Sequence, residues 1–221
     1  MPPPDSTRPR RIPCQERGER RVAELIEAAE SVIAEAGYEA ATMSAIAERA
    51  GAPIGSLYQF FPCKAAITQA LRNAYGKEFE ETFAPLAEKA KSLELRQFVS
   101  RLIDLTTRFV DSHPAFPALL DAPRSTRAAP AIRSLIRERF AGFFLVRHPR
   151  MSKHRALQMA TVTIQILKAL NQLYTEDSPN ERRPFVQEFK LVLYSYLKSG
   201  STPGAVRGSA SEMAKKGITA I

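Results

Sequence analysis

Thr42-Met-Ser-Ala-Ile-Ala-Glu-Arg-Ala-Gly51-Ala-Pro-Ile-Gly-Ser-Leu-Tyr-Gln-Phe-Phe61 holds two short apolar-periodic segments on either side of a three-residue turn, and its reading decides the fold. Thr42 stands where an N-cap belongs, ahead of Met43, Ile46, Ala47 and Ala50, because its hydroxyl can accept one of the N–H groups that a first helical turn leaves unpaired. Gly51 closes that helix. Pro53 suits the first position of the next one, where the missing N–H has no partner to lose. The second segment runs over 54–61 and stops at Phe61-Pro62, since the residue before a proline is driven out of the helical region. Two short helices across a glycine-centred turn form a helix-turn-helix, whose second member can lie in a DNA major groove.

On the N-terminal side, Val22, Leu25, Ile26, Ala29, Ile33 and Ala36 fall on one face of a helix that Gly37 ends. Residues 1–16, rich in proline and arginine, precede any apolar period and read as a flexible basic arm. On the C-terminal side, Lys64 opens a longer helix through Ile67, Ala70, Leu71, Ala74, Tyr75 and Phe79, disrupted near Pro85. Helical periods continue at 94–112, 115–122, 129–147, 152–175 and 181–198, with Ser178 and Glu181 in the spacing of a capping box. No sustained strand-like alternation occurs, so the expected class is all-α. The expected organisation is an arm over 1–16, a helix-turn-helix domain over 17–64, a helical effector-binding and dimerisation domain over 65–199, and a mobile tail over 200–221.

Three segments together carry a specific resemblance: Ala23-Glu-Leu-Ile-Glu-Ala-Ala-Glu through Gly37-Tyr38, then Thr42 through Gly51, then Gly55-Ser-Leu-Tyr-Gln-Phe-Phe-Pro-Cys-Lys64. They resemble the tetracycline-repressor (TetR) family, whose recognition helix ends in a Gly-(Thr/Ser)-(Leu/Ile)-Tyr-x-(Tyr/His/Phe)-Phe run followed by a Lys. The likeness covers about residues 17 to 70. It implies a transcriptional regulator, most simply a repressor, that binds a palindromic double-stranded operator as a homodimer and is released by a small-molecule effector.

Physical chemistry gives the same residues roles. Gly55 and Ser56 keep the start of the recognition helix narrow enough to approach base edges, and Ser56 adds a hydroxyl. Tyr58, Lys64 and Thr42 can donate to phosphate oxygens. Gln59 has the paired donor and acceptor that fit adenine. Where the family often has a basic or polar residue at the start of the helix, this chain has Pro53 and Ile54, and Ile54 either touches a thymine methyl or faces the turn. Leu57, Phe60 and Phe61 form the side expected to pack on the two preceding helices. The Arg8, Arg10, Arg11 arm either reaches a minor groove or stays uninvolved.

Helix 152–175 carries Leu157, Ile164, Leu167 and Asn171 on one stripe and Met159, Val162 and Ile166 on another. Helix 181–198 likewise carries Phe185, Phe189, Val192 and Tyr196 besides Val186, Leu193 and Leu197. That is too much apolar surface for one face of each, so Leu157, Ile164, Leu167, Asn171, Phe185, Phe189, Val192 and Tyr196 are expected to pair with a second copy. A larger core within one chain is the alternative. A dimer would set its recognition helices about 34 Å apart on a palindrome. Leu102, Thr106, Phe109, Phe116, Leu119, Leu135, Phe140, Phe143 and Gln165 are the expected lining of an effector pocket, whose existence the family resemblance implies.

The 221 residues carry 32 Lys and Arg against 23 Asp and Glu, a formal net charge of +9. That surplus is misleading about place. Residues 1–64 hold 8 basic and 9 acidic groups, net −1, whereas 65–221 hold 24 and 14, net +10. More telling, no Asp or Glu occurs from Arg49 through Lys77, as suits a face that meets a polyanion. The basic run 124–155 either draws an anionic effector or is a solvated face.

No uncharged run reaches the ~20 residues of a membrane span. The N-terminus shows no apolar stretch of secretory type, so the expected location is the cytoplasm. Cys14 and Cys63 have no second Cys or His at metal-ligand spacing, and His113, His148 and His154 adjoin no nucleophile or metal motif. Neither catalysis nor a cofactor or metal is expected. The competing reading is a helical ligand-binding or protein-interaction module without sequence-specific DNA binding.

Overall fold

The computed structural model describes residues 14–121, 129–174 and 179–200. Arg8, Arg10, Arg11, Arg124, Arg127, Ser178 and the tail after Gly200 lie outside them. Among the described residues every regular element is helical: α1 Cys14–Ala40, α2 Met43–Arg49, α3 Ile54–Phe60, α4 Lys64–Lys89, α5 Leu95–Ser112, α6 Phe116–Asp121, α7 Ala129–Arg147, α8 Lys153–Tyr174 and α9 Pro179–Gly200. Two compact units divide at Arg72 and Asn73, inside α4, rather than at Lys64.

In the first unit, α1 buries Leu25, Ala28, Ala29, Val32 and Ile33, while Ala36 of the expected stripe is exposed. Cys14 to Glu16, expected in the arm, form the first turn of α1, which Glu16 suits by its charge at a helix N-terminus. At Gly37 the backbone leaves helical values (φ +79°), and Tyr38 turns into the core. Thr42 Oγ1 accepts the Ala45 N–H at 3.1 Å and so caps α2. At the other end Ala52 N–H reaches Ala47 O (2.9 Å) and Gly51 N–H reaches Glu48 O (3.0 Å) with Gly51 at φ +58°, the paired bonds of a Schellman ending.

Pro53 sits one place earlier than expected. It is the N-cap of α3, and its carbonyl accepts the N–H groups of Ser56 (2.9 Å) and Leu57 (3.3 Å). Leu57 and Phe61 enter the core as expected, but Phe60 does not and stays exposed. Phe61, the C-cap of α3, is extended (φ −132°, ψ 102°) and buried four residues after Leu57.

In the second unit, α4 continues past Pro85 instead of breaking. A proline removes one helical hydrogen bond and crowds the preceding turn, yet Phe83, Leu86 and Ala90 are all buried around it and hold the last turn in place. Tyr75, Phe79 and Phe83, four residues apart, lay an aromatic row along this half of α4. Phe79 stacks on Phe83 (centroids 4.2 Å) and meets Phe109 edge-on (5.5 Å); Phe83 packs against Phe140 (6.1 Å) and Phe143 (6.5 Å). Around this row α7 packs on α8, α8 on α9, α5 on α8 and α9, and α6 on α7.

Candidate nucleic-acid interface and effector groove

At 100° per residue, Ile54, Tyr58, Gly55 and Gln59 occupy an arc of roughly 140° around α3. All four are exposed, Ile54 at 42% and Tyr58 at 49% of full accessibility, and Leu57 faces the opposite way. Gly55 lies near the middle of the arc. A Cβ placed there would meet nothing within 4 Å, and the backbone shows no positive φ, so neither packing nor conformation in this chain calls for glycine. Glycine inside a helix costs roughly 0.5–1 kcal/mol relative to alanine. What the missing side chain supplies is room for something outside the chain. Thr42 is exposed, and Ser56 is half-buried.

Arg49 and Lys64, which flank α3 in the chain, are both held by protein groups. Arg49 makes a two-pronged pair with Glu35, at 2.7 and 2.5 Å, tying α2 to α1; the hydrogen bonds from Arg49 hold the Glu35 carboxyl below its ordinary pKa. Lys64 Nζ donates to the carbonyls of Tyr38 (2.8 Å) and Glu39 (3.0 Å) and lies 4.7 Å from the Tyr38 ring centroid. The expected phosphate donor is therefore a clamp that closes the end of α1, with one of its three N–H groups beyond those two bonds.

In the second unit an open groove of about 550 Å³ runs between Glu80 and Ala87 of α4 and Ser134, Leu135, Glu138, Arg139, Gly142, Phe143 and Val146 of α7. Glu80 pairs with Arg139 at its edge. Of the expected effector residues, Leu135 and Phe143 line this groove. Leu102, Phe109, Phe116, Leu119 and Phe140 are buried, with Phe109 meeting Phe116 at 5.0 Å and Phe140 meeting Phe143 at 5.7 Å. Thr106 donates to Leu102 O within its own helix (2.8 Å), and Gln165 is exposed on α8.

The basic run is largely engaged inside the unit. Arg133 donates to Leu120 O, Arg139 pairs with Glu80, and Arg147 donates to Leu93 O (2.9 Å) and Ala90 O with its guanidinium over Phe98. Burial lowers the pKa of Arg147. Two hydroxyls had no place in the sequence reading: Thr163, fully buried on α8, and Thr107 on α5 make no hydrogen bond among the described residues. The spacing held a signal for Thr163, which lies four residues from both Met159 and Leu167 on the inward stripe.

The outward faces of α8 and α9 differ in part from the expected pairing set. Leu167 is buried within its own chain, and Leu157, Ile164, Asn171, Phe189 and Tyr196 are half-buried. Phe185 and Val192 are exposed, joined by Leu191 and by Val162 from the second stripe of α8. On α8, Ala156, Met159, Ala160 and Thr163 are buried, whereas Val162, Gln165 and Ala169 are exposed.

Comparison with known proteins places the chain. Residues 25–71 match the tetR family of bacterial regulatory proteins, and residues 94–197 match the tetracyclin repressor-like C-terminal domain; together these span more than half of the chain. Over 56 residues the chain is 41% identical to the HTH-type transcriptional repressor KstR of Mycolicibacterium smegmatis, a match covering 25% of this chain and 26% of that protein. It thus spans about a quarter of the length of this curated relative. Among solved structures, a TetR-family transcriptional regulator from Streptomyces coelicolor is similar with a TM-score of 0.57 and 22% identity, covering 80% of this chain and 98% of that one. The transcriptional regulator FadR from Bacillus subtilis, solved with stearoyl-CoA, is similar with a TM-score of 0.59 and 18% identity, over 80% and 98%. At these identities the structural likeness is one of fold. The two family matches, one to each unit, show that the chain belongs to the tetR family of bacterial regulatory proteins.

Proposed function

We propose that this chain is a DNA-binding transcriptional regulator, a repressor in the simplest case, that acts as a homodimer on a palindromic operator and responds to a small molecule. The carrying observation is the exposed arc of α3 centred on Gly55, where the chain keeps a glycine that its own packing does not need. Gly55 and Pro53 permit close approach, Ser56, Tyr58 and Thr42 supply hydroxyls for phosphate or base, and Ile54 and Gln59 face the base edges. Lys64 acts mainly by fixing the end of α1, with its remaining N–H directed to phosphate.

The groove between α4 and α7 is the proposed effector site. Its volume falls within the ~300–1,000 Å³ of small-molecule clefts, and Leu135, Phe143, Val146 and Ala87 give it an apolar wall. An effector acts only if it prefers one of two conformations. The continuous helix α4, which bears both Lys64 and Glu80, is the element it would bias. Pairing is proposed through Val162, Phe185, Leu191 and Val192. Regulation rather than catalysis is the proposed role, and the cytoplasm the proposed location; no described helix is long and apolar enough to cross a membrane.

Selection of bound duplexes from a random pool tests the reading. Enrichment of one palindrome, bound with an affinity that falls steeply with salt, is the expected result. Recovery of unenriched sequence would remove the DNA role and leave a ligand-binding module.

A further inference from the structure

The exposed face of α3 is built without charge. Its seven residues, Ile-Gly-Ser-Leu-Tyr-Gln-Phe, include no Lys, Arg, Asp or Glu. Guanine is most often read by a two-pronged contact from Arg or Lys to O6 and N7, and cytosine by a carboxylate that accepts from N4. The cations that flank α3 in the chain are engaged elsewhere: Arg49 is held by both oxygens of Glu35, and Lys64 by two backbone carbonyls of α1. What remains on the arc is a branched hydrocarbon, Ile54, and a carboxamide, Gln59, at its two edges with the open Gly55 between them. These match the two features that mark an A·T pair in the major groove, the thymine C5-methyl and the adenine N6/N7 pair.

Resting on the DNA-binding reading above, we infer that α3 reads A·T pairs, with Ile54 against a thymine methyl and Gln59 bonded to adenine N6 and N7. Each half-site then has an A·T core under α3, and base identity is carried by neutral groups while the phosphates supply the charge-dependent affinity. The Ile54 side chain lies outside the buried core of its unit and is 42% exposed, so its length and branching can serve the partner.

Base-analogue scanning of the selected duplex tests this. Deoxyuridine in place of each thymine removes only the methyl, and 7-deazaadenine in place of each adenine removes only the N7 acceptor. In the wild-type protein, one thymine per half-site should respond to deoxyuridine with roughly a fourfold loss of affinity, the effect of one buried methyl group. One adenine per half-site should respond to 7-deazaadenine with a loss within the roughly 5- to 150-fold range of base-specific contacts. Ile54→Ala should abolish the first response and leave the second, and Gln59→Ala should do the reverse. A selected core of G·C pairs, or analogue losses that persist in the matching variant, would overturn the inference while leaving DNA binding intact. Failure to enrich any duplex would instead overturn the reading on which it rests.

Discussion

Lys64 donates its Nζ hydrogens to the carbonyl of Tyr38 at 2.8 Å, and to that of Glu39 at 3.0 Å, so the first residue of α4 closes the last turn of α1. The carbonyls at a helix end lack partners and carry partial negative charge, and an ammonium meets both needs. Lys64→Met keeps the stem and removes the donors. It should cost about 1.5–3 kcal/mol of stability, the range for hydrogen bonds to charged groups, as read from denaturant unfolding. It should also weaken DNA binding on every sequence. A variant with unchanged stability but a lower salt slope would show Lys64 to be a phosphate contact and no clamp.

The Glu35–Arg49 pair gives a pH signature. Arg49 hydrogen bonds lower the Glu35 pKa, so the folded state binds its proton less readily than the unfolded one. The pair's contribution is therefore present above the ordinary carboxylate range and lost as pH falls through the lowered value. Both side chains face solvent, so the effect is small and screened by salt. The stability gap between wild type and Glu35→Gln should be present at neutral pH and low salt and should close in acid. A gap that widens in acid would contradict the assignment.

Much of this architecture is legible in local sequence. Thr42, Gly51 and Phe61-Pro62 mark boundaries through backbone rules that act within a few residues, and the structure keeps them. The exposed face of α3 is legible for the same reason, since a short helix with one buried leucine leaves few choices. Pro85 misleads because its local penalty is outweighed by burial of Phe83, Leu86 and Ala90 against distant parts of the chain. The effector residues are the least legible. Periodicity places Phe109, Phe116 and Phe140 on inward faces, where they are buried, but cannot say whether they enclose a space or fill it. Lys64 could not be read as a clamp from its neighbours in sequence, because its acceptors lie 25 and 26 residues away.

Thr163 is fully buried on α8, and its hydroxyl makes no hydrogen bond among the described residues. A buried unsatisfied hydroxyl costs about 1–3 kcal/mol, and replacing it with an apolar group of the same shape removes that cost. Thr163→Val should raise Tm by roughly 2–4 °C for each kcal/mol recovered in a chain of this size. A fall in Tm would show that the hydroxyl has a partner.

Val192 is half exposed on α9, and Phe185, seven residues earlier, lies on the same face of the helix. If this side pairs with a second copy, Val192→Glu should place two carboxylates in an apolar seam and yield folded monomers, by light scattering and circular dichroism. A variant that remains dimeric would move the pairing surface elsewhere.

The central claim is that the exposed side of α3 meets DNA, and Gly55 tests it most directly. Gly55→Leu adds bulk where the chain itself has open space, so folding should be untouched or slightly favoured, given the helix penalty of glycine. Measured together by thermal unfolding and by anisotropy titration of the selected duplex, the variant should keep its Tm and lose DNA affinity at least tenfold. Retention of wild-type affinity by a normally folded Gly55→Leu protein would contradict the account.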